Sequence, residues 1–296
     1  MRPPELRALL DQRVVLLDGG MGSMLIAAGL EPGRAPEWWN LEHPERVEAV
    51  QRAYVEAGSD VVHTNTFGGS PLRLAAGGLL GRCREVAARA VEIARAACAG
   101  RALVAGDIGP SGHLLPPVGT ATLDELADGF AEQAGALAEA GVDLISIETM
   151  SDLREALAAV AAARATGLAV VAMMTFERRK RGSFTVMGDP LVPSLAALAG
   201  AGADAAGCNC SVAADDMLAM VVEAAAASTV PLAAQPNAGQ PRLTADGVTY
   251  DADPAGFARD LAAMAAAGAR LVGGCCGTTP DFIRAARTGL DAGVPR

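Results

Sequence analysis

The sequence predicts an α/β protein built as a (β/α)8 TIM barrel, and three observations lead there. Eight short apolar runs begin near Val14, Asp60, Ala102, Asp143, Ala169, Asp204, Pro231 and Ala269. They are continuously hydrophobic, as parallel strands covered on both faces are. Most are followed by a helical pattern, such as Leu123 to Ala140, Asp152 to Ala165, Ala214 to Ala227 and Pro254 to Ala267. A boundary also recurs: Glu56-Ala57-Gly58-Ser59-Asp60, Glu139-Ala140-Gly141-Val142-Asp143, Gly200-Ala201-Gly202-Ala203-Asp204 and Ala266-Ala267-Gly268-Ala269-Arg270. Each closes an amphipathic helix with glycine near its C-cap and opens a strand. Eight such βα units in roughly 250 to 300 residues fill one barrel. A doubly wound open sheet is the alternative, but no GxGxxG follows the first strand. No linker breaks the pattern, so one barrel domain over residues 1–296 is expected.

Composition narrows the function classes. Hydrophobic residues make up 51% of the chain and aromatics 3%, so a large core must come from Ala, Val, Leu, Ile and Met. A net charge of −10 argues against nucleic-acid binding, and the one basic cluster, Arg178-Arg179-Lys180-Arg181, reads as a solvated loop. Lys180 is the only lysine and lies in that polar loop, which leaves no buried lysine for Schiff-base chemistry. No apolar stretch approaches the ~18 residues of a membrane span, and no signal peptide opens the chain, so no membrane partner and a cytoplasmic location are expected. Six cysteines in a chain this long do not resemble a secreted disulfide framework. Cys83 and Cys98 fall in an Ala-rich helical stretch and read as buried small hydrophobes.

Barrel enzymes work at the C-terminal ends of their strands. Here those ends carry Asp18-Gly19-Gly20-Met21-Gly22, Thr64-Asn65-Thr66-Phe67-Gly68, Asp107-Ile108-Gly109-Pro110, Glu148-Thr149, Thr175-Phe176-Glu177, Asn209-Cys210, Gln235-Pro236-Asn237-Ala238-Gly239 and Cys275-Cys276. The last pair is the sharpest signal. Neighbouring residues in a regular strand point to opposite faces, so both thiols face one point only where the backbone bends. The run Gly273-Gly274-Cys275-Cys276-Gly277 permits that bend. Strands six and eight are close on the rim, so Cys210 reaches the same point. Three thiolates form a soft, tetrahedral ligand set that favours zinc with one position open. Cys208 points the same way as Cys210 by period two, one layer deeper, and reads as a buried thiol.

Asp18 and Glu148 end otherwise apolar strands. Each alone fits a helix N-cap or first turn; together in one pocket they suit an ammonium group. The amides of Gly20 to Gly22, where a turn enters a helix, suit a carboxylate. An ammonium site, a carboxylate site and an open zinc describe an amino acid with a thiol side chain.

These motifs resemble the homocysteine S-methyltransferase family over essentially the full chain. The resemblance rests on Leu17 to Gly22, Glu56 to Asp60, Thr64 to Gly68, Ile147-Glu148-Thr149, Asn209-Cys210-Ser211, Pro236 to Gly239 and, most specifically, Gly273 to Pro280. Within the family the chain looks closest to the homocysteine-binding barrel of cobalamin-dependent methionine synthase. The resemblance implies that Cys210, Cys275 and Cys276 bind Zn2+ and that the homocysteine thiolate is its fourth ligand. It implies that Asp18 and Glu148 hold the substrate amino group, and backbone amides at Gly20 and Met21 its carboxylate. Asn237 lies where the family can supply an oxygen ligand when substrate is absent, and Asn209 is expected to support the zinc sulfurs.

The donor is less legible. The folate-binding, cobalamin-binding and reactivation domains of the full synthase have no counterpart in 296 residues, so a methylcorrinoid is expected to arrive on a separate protein or free. A betaine or S-methylmethionine donor is the alternative, and S-adenosylmethionine is a further one. Trp38 and Trp39 are candidates to line the mouth for a quaternary ammonium, or to pack on the barrel wall. The aromatic that animal betaine enzymes carry after the strand-four glutamate is here Thr149. Another alternative is a subunit that presents homocysteine to a partner without turnover. None of His43, His63 and His113 joins a metal-ligand pattern, which disfavours a zinc hydrolase. The segment Arg178 to Gly188 is expected to be a mobile lid or donor-docking loop.

Overall fold

The computed structural model describes residues 1–31, 33–240, 242–244 and 247–293. Eight parallel strands form one sheet: β1 (Val15–Leu16), β2 (Val61–His63), β3 (Leu103–Ile108), β4 (Leu144–Met150), β5 (Ala169–Met174), β6 (Ala205–Asn209), β7 (Leu232–Gln235) and β8 (Ala269–Val272). Their order is β1-β8-β7-β6-β5-β4-β3-β2, and a parallel bridge from Leu17 to Val61 brings β1 against β2 and closes the barrel. Helices Pro44–Ala57, Cys83–Cys98, Leu123–Ala140, Leu153–Ala165, Leu191–Gly200, Ala214–Ala225, Pro254–Ala266 and Pro280–Gly293 alternate with the strands.

The repeated boundary works as its residues dictate. Gly58, Gly141, Gly202 and Gly268 all have φ between 92° and 117°, the left-handed cap that glycine adopts without penalty. Asp60, Asp143 and Asp204 then stitch strands together. Their carboxylates accept from the amides of Leu16 (2.8 Å), Val104 (2.7 Å) and Val170 (2.8 Å) on the preceding strand. Arginines close each: Arg287 and Arg13 on Asp60, Arg95 on Asp143 and Arg164 on Asp204. This is the face of a barrel that carries stability rather than chemistry.

Two apolar layers follow from strand alternation. Val15, Leu17, Val61, Ala105, Leu144, Ala169, Val171, Met173, Ala205, Ala233 and Leu271 fill the lumen, where Leu6 and Leu10 of helix Pro3–Gln12 join them. The opposite set, including Leu16, Val62, Val104, Ile145, Ile147, Ala206 and Val272, packs on the helices. The lumen is tight: a Cβ at Gly207 would lie 1.8 Å from the Ala233 carbonyl oxygen.

Cys208 belongs to the outer layer, among helix-facing side chains, and not one layer beneath Cys210. Period two fails there because the strand ends at Asn209 and both Cys210 and Ser211 turn to φ +60°. Burial pushes the Cys208 thiol up to about 12. The segment 177–184 is an ordered hairpin, pairing Glu177–Arg179 with Gly182–Phe184. Arg178 bonds Asp216 and Ser183 bonds Glu223 on the neighbouring helix, so the hairpin lies against helix Ala214–Ala225. Among the described residues no helix is long and apolar enough to cross a membrane.

Candidate metal and substrate site

A cavity of about 850 Å³ opens at the C-terminal ends of the strands. Its floor is polar because several strands, such as β2, β3, β4 and β7, turn from lumen-filling apolar residues to His63, Asp107, Glu148 and Gln235 at their C-terminal ends. Asp18, His63, Asp107, Glu148, Gln235 and the three rim cysteines all line it.

The Sγ atoms of Cys210, Cys275 and Cys276 lie within 4.8 Å of one another, and Cys210 and Cys276 are 3.8 Å apart. Two thiolates on one tetrahedral zinc at ~2.3 Å stand about 3.8 Å apart, so the residues fit the metal. Backbone contacts set this geometry. The amide of Gly274 donates to Asp18 O, that of Cys275 to Pro236 O, and that of Cys276 to Asn237 Oδ1. A Cβ at Gly274 would meet the Thr278 side chain at 2.3 Å, so the turn needs glycine there. Cys210 and Ser211, consecutive non-glycine residues at φ +60°, hold the third thiol in a strained backbone, as functional sites often do.

The sulfurs share protons as a cluster. Hydrogen bonds from Cys275 and Cys276 pull the Cys210 thiol down to about 3; Cys276 rises to about 12, and Cys275 also rises. Away from the cluster, burial pushes Cys83 up to about 12 and Cys98 up to about 11. Asn237 accepts from the Cys276 amide through Oδ1 (3.1 Å), and its side chain helps lower the Cys210 thiol, which places it between the two cysteine turns. Asn209 is fully buried. Its Nδ2 lies 2.9 Å from Glu148 Oε2 and 3.9 Å from Cys275 Sγ, linking the carboxylate to the thiol cluster.

Tyr250, which no motif flags, follows the hairpin of Arg242–Thr244 and Gly247–Thr249. Burial first, then the Cys276 charge, pushes its hydroxyl up to about 12.

Asp18 and Glu148 both line the cavity, but Asp18 is only 1% exposed and already engaged. His63 donates its backbone amide to Asp18 Oδ2 (2.8 Å), and its ring Nδ1 lies 2.6 Å from Oδ1. The other ring nitrogen lies 3.0 Å from Ser146 Oγ. Burial alone would lower His63, but the charge and hydrogen bond of Asp18, with Glu148 behind them, carry it up to about 9. Asp107 sits beside Glu148. Burial first, then the Glu148 charge, drives Asp107 well above the carboxylate range, and burial raises Glu148 too. The two buried carboxyls therefore resist being charged together. His63 and Asp107 escape sequence reading because their partners lie on other strands.

The Gly20 amide, expected to face a carboxylate, donates instead to Thr278. The amides of Met21, Gly22 and Ser23 open helix Met21–Ala27 and have no residue four positions back to bond within it. Around the mouth, Arg34, Glu37, Phe67, Arg73 and His113 line the cavity. Neither tryptophan does. Trp39 is 3% exposed in the core, and Trp38 donates to Gly77 O with Arg34 and Arg82 against its ring. The aromatic face that the cavity offers is Phe67, with the Arg73 guanidinium 5.8 Å from its ring centre.

The family model described as homocysteine S-methyltransferase matches residues 15–290, and the chain belongs to that family. It is 32% identical to a methionine synthase of Mycobacterium leprae, over 99% of this chain and 26% of the relative. It is 33% identical to a methionine synthase of Mycobacterium tuberculosis, over 95% of this chain and 25% of the relative. The chain thus spans about a quarter of the length of these curated relatives. It also superposes on the homocysteine methyltransferase MmuM from Escherichia coli in its metallated form, with a TM-score of 0.79 and 29% identity, over 96% of this chain and 99% of that one.

Proposed function

We propose that this family member is a single homocysteine-binding barrel over residues 1–296 that holds homocysteine as a zinc thiolate and methylates it to methionine. The observation that carries the reading is the convergence of three sulfurs at zinc-ligand spacing on a cavity floor that also bears carboxylates. A zinc ion held by Cys210, Cys275 and Cys276 supplies the Lewis acidity that keeps a thiol deprotonated at neutral pH, where a free one at ~8.5 is mostly protonated.

The chain's own groups do the rest. Glu148, supported by Asn209, takes the substrate ammonium, with Asp18 beside it. The amides of Met21 to Ser23 face the substrate carboxylate. Asn237 and Asn209 hold the cysteine turns in register, as outer partners of metal sites do. A reducing compartment keeps six free thiols intact, so the protein works in the cytoplasm.

The donor is a methylcorrinoid, in line with relatives named methionine synthase. A second reading has its own observation. The lining residues Phe67, Glu37 and Arg73 offer an aromatic face, a buried carboxylate and a guanidinium, chemistry suited to a small onium donor that also carries a carboxylate, such as betaine or S-methylmethionine.

The test is methionine formation from homocysteine by zinc-loaded protein. Betaine, S-methylmethionine, S-adenosylmethionine and a methylcorrinoid protein are offered separately. Turnover with the corrinoid protein alone supports the first reading, and turnover with a small onium the second. Homocysteine binding without turnover from any donor would reduce the chain to a presenting subunit.

A further inference from the structure

His63 is a buried titratable side chain that the zinc-thiolate reading does not use. It spans the lumen from Asp18 at the end of β1 to Ser146 on β4, two residues before Glu148 and on the same strand face. It contacts both Asp18 oxygens, one through its backbone amide and one through its ring. A carboxylate has about four acceptor positions, so Asp18 keeps capacity for a substrate donor while its orientation is held.

We propose that His63 is a positioning residue for amino-acid recognition: by gripping both oxygens of Asp18 and anchoring on Ser146, it makes the floor of the cavity complementary to one ammonium group. The proposal rests on the homocysteine reading above and adds to it the residue that sets discrimination for the amino group.

Charge supports the geometry. His63 is held in its protonated form and cancels Asp18. Burial and the Glu148 charge both raise Asp107, so that pair resists carrying two negative charges. A cationic His63 among the carboxyls of Asp18, Asp107 and Glu148 tempers an acidic floor, a setting suited to an ammonium ion. Four unmodified neighbours could not do this: three bare carboxylates in one buried pocket repel one another and take up protons in an uncontrolled order.

The experiment is titration calorimetry on zinc-loaded protein with homocysteine and with 4-mercaptobutanoate, which is the same chain without the amino group. The wild-type protein is expected to prefer homocysteine strongly. His63→Leu is expected to weaken homocysteine binding by about tenfold or more and 4-mercaptobutanoate by less than about twofold, with zinc content unchanged; tenfold is about 1.4 kcal/mol, within the range for one charged hydrogen bond. His63→Gln, which restores a donor to Asp18, is expected to recover part of the preference. If His63→Leu does not fold, His63→Gln alone must still reduce the preference with zinc retained. Equal weakening of both thiols, or an unchanged preference in the folded variant, would overturn the proposal. Failure of the wild-type protein to bind either thiol would instead overturn the homocysteine reading, and the proposal with it.

Discussion

A Cys275→Ala protein is expected to lose bound zinc and methyl transfer together while keeping its fold. The Cys275 side chain is partly exposed to the cavity and belongs to neither apolar layer, so its sulfur is not a packing atom. Alanine keeps the Cβ, and the turn is held by backbone bonds from Cys275 N to Pro236 O and from Thr278 N to Cys275 O. The two remaining sulfurs cannot complete a closed ligand set. Outer partners of metal sites are worth ~10–100-fold in affinity or activity, and a direct ligand is worth more than that. Elemental analysis, activity and circular dichroism on one preparation check this. A zinc-free variant with full activity would remove the metal from the account.

The second large effect is expected at Glu148. Glutamine keeps the shape and the bond from Asn209 Nδ2 but removes the charge. Homocysteine affinity is expected to fall by about 10–100-fold, the worth of one charge-assisted hydrogen bond in a buried site. Zinc content should stay constant, because Glu148 is not among the clustered sulfurs. The neighbour moderates the loss. The Glu148 charge helps raise Asp107, so in Glu148→Gln Asp107 ionises more readily and replaces some of the missing charge. Asp107→Asn removes that reserve of charge but leaves Glu148 in place, and is expected to change affinity by less than about threefold. Combining the two substitutions should therefore lose more than the sum of each. Equal losses with homocysteine and 4-mercaptobutanoate in Glu148→Gln would show that Glu148 does not meet the amino group.

The barrel was legible because its signals are local. A glycine cap followed two residues later by aspartate recurs at Gly58, Gly141 and Gly202, and each does one job: ending a helix in left-handed backbone and pinning the next strand. The thiol cluster was legible because the Cys275-Cys276 pair makes sense only at a turn. What stayed hidden depends on partners far away in sequence. The Gly20 amide is occupied by Thr278, 258 residues away, so a Gly-rich turn that looks free for a carboxylate is partly engaged. His63 and Asp107 look like ordinary strand-end residues until β1 and β4 bring Asp18 and Glu148 beside them. Cys208 misled for a different reason. Strand alternation was carried one residue past the strand's end, where Cys210 turns left-handed and faces the cavity that Cys208 does not. Of the two places open to the tandem tryptophans, the mouth and the barrel wall, neither takes the mouth: Trp39 is buried in the core, Trp38 bonds Gly77 O, and Phe67 lines the cavity.

The central claim is that Cys210, Cys275 and Cys276 hold a zinc whose remaining position receives the substrate sulfur. X-ray absorption at the zinc edge, before and after homocysteine is added, tests it most directly. The account predicts three sulfur neighbours at ~2.3 Å in the free protein and four in the complex. A metal with only nitrogen and oxygen neighbours, or sulfur coordination that does not change when homocysteine is bound, would contradict it.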